Sequence, residues 1–118
     1  LNAFASQLAA MRHISEKKLI YDTPNGVYGT FWTRDERIGG AIYNSTSMEQ
    51  AVSLRLDRAA FPDHGKGLEN GSVLLRIVDR QGKVAKAEVF RLTAEKDALR
   101  LEGRFAPGTL LLVSNWQD

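Results

Sequence analysis

The stretch SVLLRIVDRQGKVAKAEVFRLTAEKDALRLEGRFAPGTLLLVSN, residues 72–115, decides the fold. Residues 73–79 and 84–92 are two strand-like runs joined by Arg80-Gln81-Gly82-Lys83, with Gly82 at the position that needs a positive φ in a compact hairpin. Residues 98–105 alternate. Leu99, Leu101 and Phe105 take one side, and Arg100, Glu102 and Arg104 the other, which is the period of a half-buried strand. Ala106-Pro107-Gly108 turns the chain. Residues 109–113 are almost wholly apolar, which predicts a strand covered on both faces, and Trp116 follows as a plug for the rim of the core.

Upstream of this block the same signals recur. Residues 51–58 place Val52, Leu54 and Leu56 opposite Ser53, Arg55 and Asp57. Gly39-Gly40 precedes a short strand at 41–43, and Met48-Glu49-Gln50 reads as a helical turn. Leu19-Ile20-Tyr21 and residues 27–34 flank Asp22-Thr23-Pro24-Asn25-Gly26, which predicts a hairpin. In residues 27–34, Val27, Gly29, Phe31 and Thr33 share one face; Tyr28, Thr30, Trp32 and Arg34 share the other. Asp35-Glu36-Arg37 reads as a charged loop, and residues 61–71 as the longest one, Gly-rich and therefore mobile.

Residues 1–17 read as an amphipathic helix, with Leu1, Phe4, Leu8 and Met11 on one face and alanines supplying propensity. That face is expected to pack on the domain's own sheet, with a partner helix or self-association as the functional alternative.

About seven short strands separated by regular turn signals predict a mainly β domain. The architecture is a single antiparallel β-sandwich of the immunoglobulin-like type or a small barrel over residues 19–115, with one N-terminal α-helix. The choice between sandwich and barrel depends on pairings that periodicity does not reveal. The hairpin and the RFAPGTLLLVS ending resemble the last strands of immunoglobulin-like and macroglobulin-like sandwiches, modules used by many bacterial surface and periplasmic proteins. The resemblance covers residues 72–115 and implies no functional residue. The Cys…Trp…Cys signature of true immunoglobulin domains is absent.

Composition excludes several functions. The chain has no cysteine, so it has no disulfide, thiolate nucleophile or Cys-ligated metal. A formal charge of +2 on 118 residues, with basic and acidic residues interleaved, gives no basic arm of the nucleic-acid or membrane type. No Gly-x-Ser-x-Gly elbow or phosphate loop is present, and two histidines, His13 and His64, are too few for a usual His/Cys metal set. No cofactor, metal or catalytic residue is therefore assigned.

The expected role is a non-catalytic protein-binding or assembly module, within a larger bacterial exported, envelope or secretion-associated protein. A bacterial periplasm or envelope is preferred over the cytoplasm. The candidate partner-binding residues are Tyr28, Trp32, Arg34 and Tyr43, whose aromatic and guanidinium groups suit flat or apolar partners, together with Leu1, Phe4, Leu8 and Met11. Two alternatives stand beside this role: a small nucleic-acid-binding barrel using the same aromatics, and a small-ligand or carbohydrate-binding domain or enzyme using Asp63 and His64 in the 61–71 loop.

Overall fold

Strand β10 (Leu110–Ser114) occupies the middle of a six-stranded antiparallel sheet, paired on one side with β4 (Arg37–Asn44) and on the other with β6 (Leu74–Val78). Its alternation sends Leu111 and Val113 one way and Leu112 the other, and all three are fully buried. Both faces of this strand are thus covered, as its apolar run requires. The computed structural model describes residues 2–14, 20–21, 23–69 and 73–116, with backbone alone at 2, 3 and 21.

The first sheet, A, has the order β1 (Arg12–His13), β3 (Val27–Arg34), β4, β10, β6, β7 (Val84–Lys86). The second, B, has the order β2 (Ile20–Tyr21), β5 (Gln50–Asp57), β9 (Ala98–Phe105), β8 (Phe90–Ala94). Every pairing is antiparallel. Phe31, Ile42, Leu111 and Val113 of sheet A meet Leu54, Leu56, Leu99, Leu101 and Phe105 of sheet B in one core cluster, so the two sheets pack on each other in a sandwich- or barrel-like arrangement. Edge-to-face ring pairs reinforce it: Phe31 on Phe61 at 5.2 Å and Phe90 on Phe105 at 4.9 Å.

A third layer lies outside sheet A. Helix α1 (Asn2–Ala9) joins a second apolar cluster with Val78, Leu112 and Trp116, in which Phe4 is 2% exposed and stacks on Trp116 at 5.6 Å. Burying a phenylalanine to this degree stabilises by about 1.5–3 kcal/mol, so α1 is anchored on its own sheet. Trp116 accordingly plugs this outer layer and not the main core. Gly39 and Gly40 admit both layers. A Cβ on Gly39 would meet Trp116 and Leu8, and one on Gly40 would meet the ring of Phe31, its direct partner across β3–β4.

Several local expectations are corrected. Helix α1 ends at Ala9, not near residue 17: Arg12 and His13 leave it to pair with Thr33 and Trp32, and Ile14 enters the core. Ile20–Tyr21 does not form a hairpin with β3. It pairs with β5 in the opposite sheet, Ile20 facing Leu56, so the Pro24–Gly26 turn carries the chain between sheets. The true partner of β3 is β4, in register over all eight residues. Arg37 belongs to β4, and only Asp35 and Glu36 form the turn. The predicted strand 84–92 divides into β7 and β8 in different sheets, because Ala87 and Phe90, three residues apart, are both buried. Residues 48–49 form no helical turn. The 61–71 loop is anchored where it is described: 3-10 turns at Arg58–Ala60 and Pro62–Gly65 and helix α2 (Lys66–Glu69) bury Phe61 and Leu68, and Arg58 pairs with Glu69.

Asn44, at the end of β4, is fully buried. Its amide donates to the carbonyls of Met48 (3.0 Å) and Phe105 (3.1 Å), and its carbonyl oxygen accepts from the Thr46 amide (2.9 Å) and hydroxyl (2.6 Å). The Asn44-Ser45-Thr46 triplet is thus a lock between sheet A and the β9–β10 turn.

Two stability predictions follow from this packing. Gly40→Ala drives a methyl into Phe31 and lowers the unfolding free energy by about 1–3 kcal/mol in urea titration. Asn44→Ala strands several buried backbone groups and costs on the order of 2–4 kcal/mol; a loss below about 0.5 kcal/mol contradicts the lock.

Candidate functional site

Helix α1 covers only part of the outer face of sheet A. That cover reaches Gly39 and Ala41 of β4; the outward residues of β3, with Tyr43 of β4, lie beside it, and the register assigns them. Tyr28 lies directly opposite Tyr43, Thr30 opposite Ala41, Trp32 opposite Gly39, and Arg34 opposite Arg37. His13, on β1, is the partner of Trp32 on the other side. The alternation of β3 puts Tyr28, Thr30, Trp32 and Arg34 outward because Val27 and Phe31 are needed in the core. Four of the candidate residues, Tyr28, Trp32, Arg34 and Tyr43, therefore do share one surface.

Tyr28 is 66% exposed and Tyr43 41%, and opposed residues on antiparallel strands hold their Cβ atoms within about 5.5 Å. Trp32 is half-buried and meets the His13 ring edge-on at 5.6 Å, while His13 Nε2 lies 2.6 Å from Thr30 Oγ1. Along the same cross-sheet row, beyond Tyr43, come half-buried Leu110, buried Val78 and partly exposed Val84. Arg37 Nη1 donates to Gln7 Oε1 at 2.9 Å, which ties the β3–β4 turn to α1.

The other candidates fall elsewhere. Phe4 is packed under Trp116, Leu8 and Met11 are half-buried in the same cluster, and Leu1 lies outside the described residues. Asp63 and His64 are exposed and adjacent, both with left-handed backbone (φ 51° and 53°). Asp63 borders a surface cleft with Asp35, Glu36, Lys66 and Trp116. Asp35 also has positive φ (56°), and the buried Nε1 of Trp116 has no hydrogen-bond partner among the described residues. Sequence reading missed this cleft. Its walls come from the β3–β4 turn, the 62–67 segment and the chain end, and no local pattern links them.

Among the described residues no group of three or more His, Asp or Glu side chains is placed to hold a metal ion. Among the described residues no helix is long and apolar enough to cross a membrane. No protein-family model matches the chain, and no curated protein or solved structure matches it either.

The tyrosine panel is not part of the packing that holds the fold. The Tyr28→Ala/Tyr43→Ala double variant should lose less than about 1.5 kcal/mol of stability, the scale of one cross-strand aromatic pair plus two surface changes. A loss of 3 kcal/mol or more in the same denaturant titration would assign the rings to the fold.

Proposed function

We propose that this domain is a non-catalytic binding module that docks another protein on the open side of sheet A's outer face. One observation carries the reading. Two large rings, Tyr28 and Tyr43, stand exposed and directly opposed on a sheet whose outward Ala41, Leu110, Leu112 and Val78 pack with α1 and Trp116. Tyrosine, tryptophan and arginine are the side chains that most often anchor protein interfaces, because they bury large area at small entropic cost while keeping a polar end. Trp32 and Arg34 extend the same surface. Placement of the module in a larger bacterial exported or envelope protein rests on the resemblance of residues 72–115 alone.

A second reading, a small polar ligand in the Asp35/Asp63/Trp116 cleft, is favoured by the Trp116 Nε1 donor, which has no partner among the described residues, and by the left-handed backbone of Asp35 and Asp63. A random peptide library displayed on phage and selected on the full chain tests the first reading against the second. Docking on the panel predicts selected peptides that lose at least tenfold in affinity on Tyr28→Ala/Tyr43→Ala and keep it on Asp63→Ala/His64→Ala. Selected peptides indifferent to the tyrosines and lost with the Asp63/His64 pair contradict it.

A further inference from the structure

We propose that two copies of this chain pair edge to edge through strand β8, joining their B sheets into one continuous antiparallel sheet. Four strands stand at sheet ends: β1, β2, β7 and β8. An open edge is a row of unpaired backbone donors and acceptors, which short length or lysine blunts. β1 and β2 have two residues each, and β7 has three, Val84–Lys86, with Lys83 just ahead of it. β8 has five, and Arg91 is its one charged residue. The Glu95 amide donates to the Ala98 carbonyl at 2.8 Å, which fixes the phase of the β8–β9 ladder. Arg91 and Thr93 therefore exchange their backbone bonds with Glu102 and Arg100, while Phe90, Leu92 and Ala94 turn theirs to the open edge. Among the described residues no other strand pairs with that edge. Its core side is open as well. A cleft of about 310 Å³ is lined by Leu75 of β6, Leu68 of α2 and Phe90, Leu92 and Ala94 of β8. Ala94 is exposed although alternation turns it to the core side, and Leu92 is half-buried.

An open edge alone does not name its occupant; the residues of β8 do. An antiparallel copy related by a two-fold axis at Leu92 sets Leu92 against Leu92, and Phe90 against Ala94 in both directions. These are the residues whose backbone groups face the edge, so each pair exchanges both bonds, and a large side chain faces a small one on the core side. The second copy's Leu92 and Phe90 then extend the inner face of sheet B over the mouth of the cleft. On the solvent side Arg91 meets Thr93 of the other copy, with that copy's Glu95 on one diagonal and its Arg91 on the other. By symmetry the Arg91–Glu95 attraction occurs twice and the Arg91–Arg91 repulsion once. Past the strand ends, Glu88 of each copy falls in line with Lys96 of the other. The same operation on β7 sets Lys86 diagonal to Lys86, with no acid in the strand. A seam of five residues is small, so the dimer is a weak one that dilution separates.

Sedimentation of the full chain from about 1 μM to about 500 μM tests the proposal. The mass should rise with concentration from one chain to two and stop there, because a two-fold seam uses up both edges. Ala94→Pro removes an N–H that faces only the open edge, a place where strands tolerate proline, so this variant should stay folded and lose at least tenfold in self-affinity. Thr93→Glu sets a carboxylate opposite Arg91 of the other copy on both sides of the axis and should tighten the dimer about threefold or more. Tyr28→Ala/Tyr43→Ala should dimerise as the parent does, since those rings belong to the other sheet. A chain that stays monomeric throughout overturns the proposal, and so does a dimer that Thr93→Glu fails to tighten, a result that decides even where Ala94→Pro does not fold. A dimer lost with the two tyrosines would move the seam to sheet A and overturn it too. A monomeric chain whose selected peptides are lost on Ala94→Pro would give the edge to a strand from another protein instead.

Discussion

The rest of the structure depends on one strand, β10, being buried on both faces. Leu111 and Val113 point into the space between the sheets, and Leu112 points away from it under Phe4 and Trp116. A strand of this kind cannot sit at an edge, where its backbone groups would lack partners and its side chains would meet water. It therefore takes β4 on one side and β6 on the other, and it obliges the chain to cover sheet A from outside. Helix α1 and Trp116 provide that cover. The cover fits because β4 presents Gly39 to it, while Gly40, one residue on, leaves room for Phe31 on the inner side. Where the cover stops, at the β3–β4 hairpin, the sheet's outward aromatics are left in solvent.

Much of this was legible in the residues. The apolar run at 109–113 announced a doubly covered strand, and the alternation of 27–34 separated Val27 and Phe31 from Tyr28, Trp32 and Arg34 correctly. The amphipathic start of the chain was read as a helix packing at home, which is where Phe4 lies. What escaped the sequence was mainly which strand pairs with which. Periodicity reports the face a side chain takes, and a turn signal such as Pro24-Asn25-Gly26 looks the same whether the chain returns to its own sheet or crosses to the other. Ile20–Tyr21 crosses to β5 for that reason, and the break at Ala87 between β7 and β8 was hidden in a run that stays strand-like throughout. The helix end was overrun because Met11 continues the three-and-four spacing even though the chain has already turned toward β1.

The candidate surface was half legible. Alternation alone put Tyr28, Trp32 and Arg34 on one face. Only the register showed that Tyr43 stands directly across from Tyr28 and that Arg37, read as a loop residue, stands across from Arg34. The cleft between the β3–β4 turn, the 62–67 segment and Trp116 was not legible at all, since it joins three stretches distant in sequence. The role of Asn44 was not legible either: its amide is consumed by hydrogen bonds inside the fold.

The division of sheet A's outer face between a built-in cover and an open aromatic panel is the central claim, and Phe4 tests it most directly. Phe4→Ala should lower the unfolding free energy by about 3 kcal/mol or more in guanidinium titration, the usual cost of emptying a phenylalanine site in a core, with the solution mass unchanged. A variant as stable as the parent would mean that α1 does not cover the sheet. If the variant's solution mass fell below the parent's at the same time, the helix would be an assembly element, and the open panel would lose its standing as the uncovered remainder of the face.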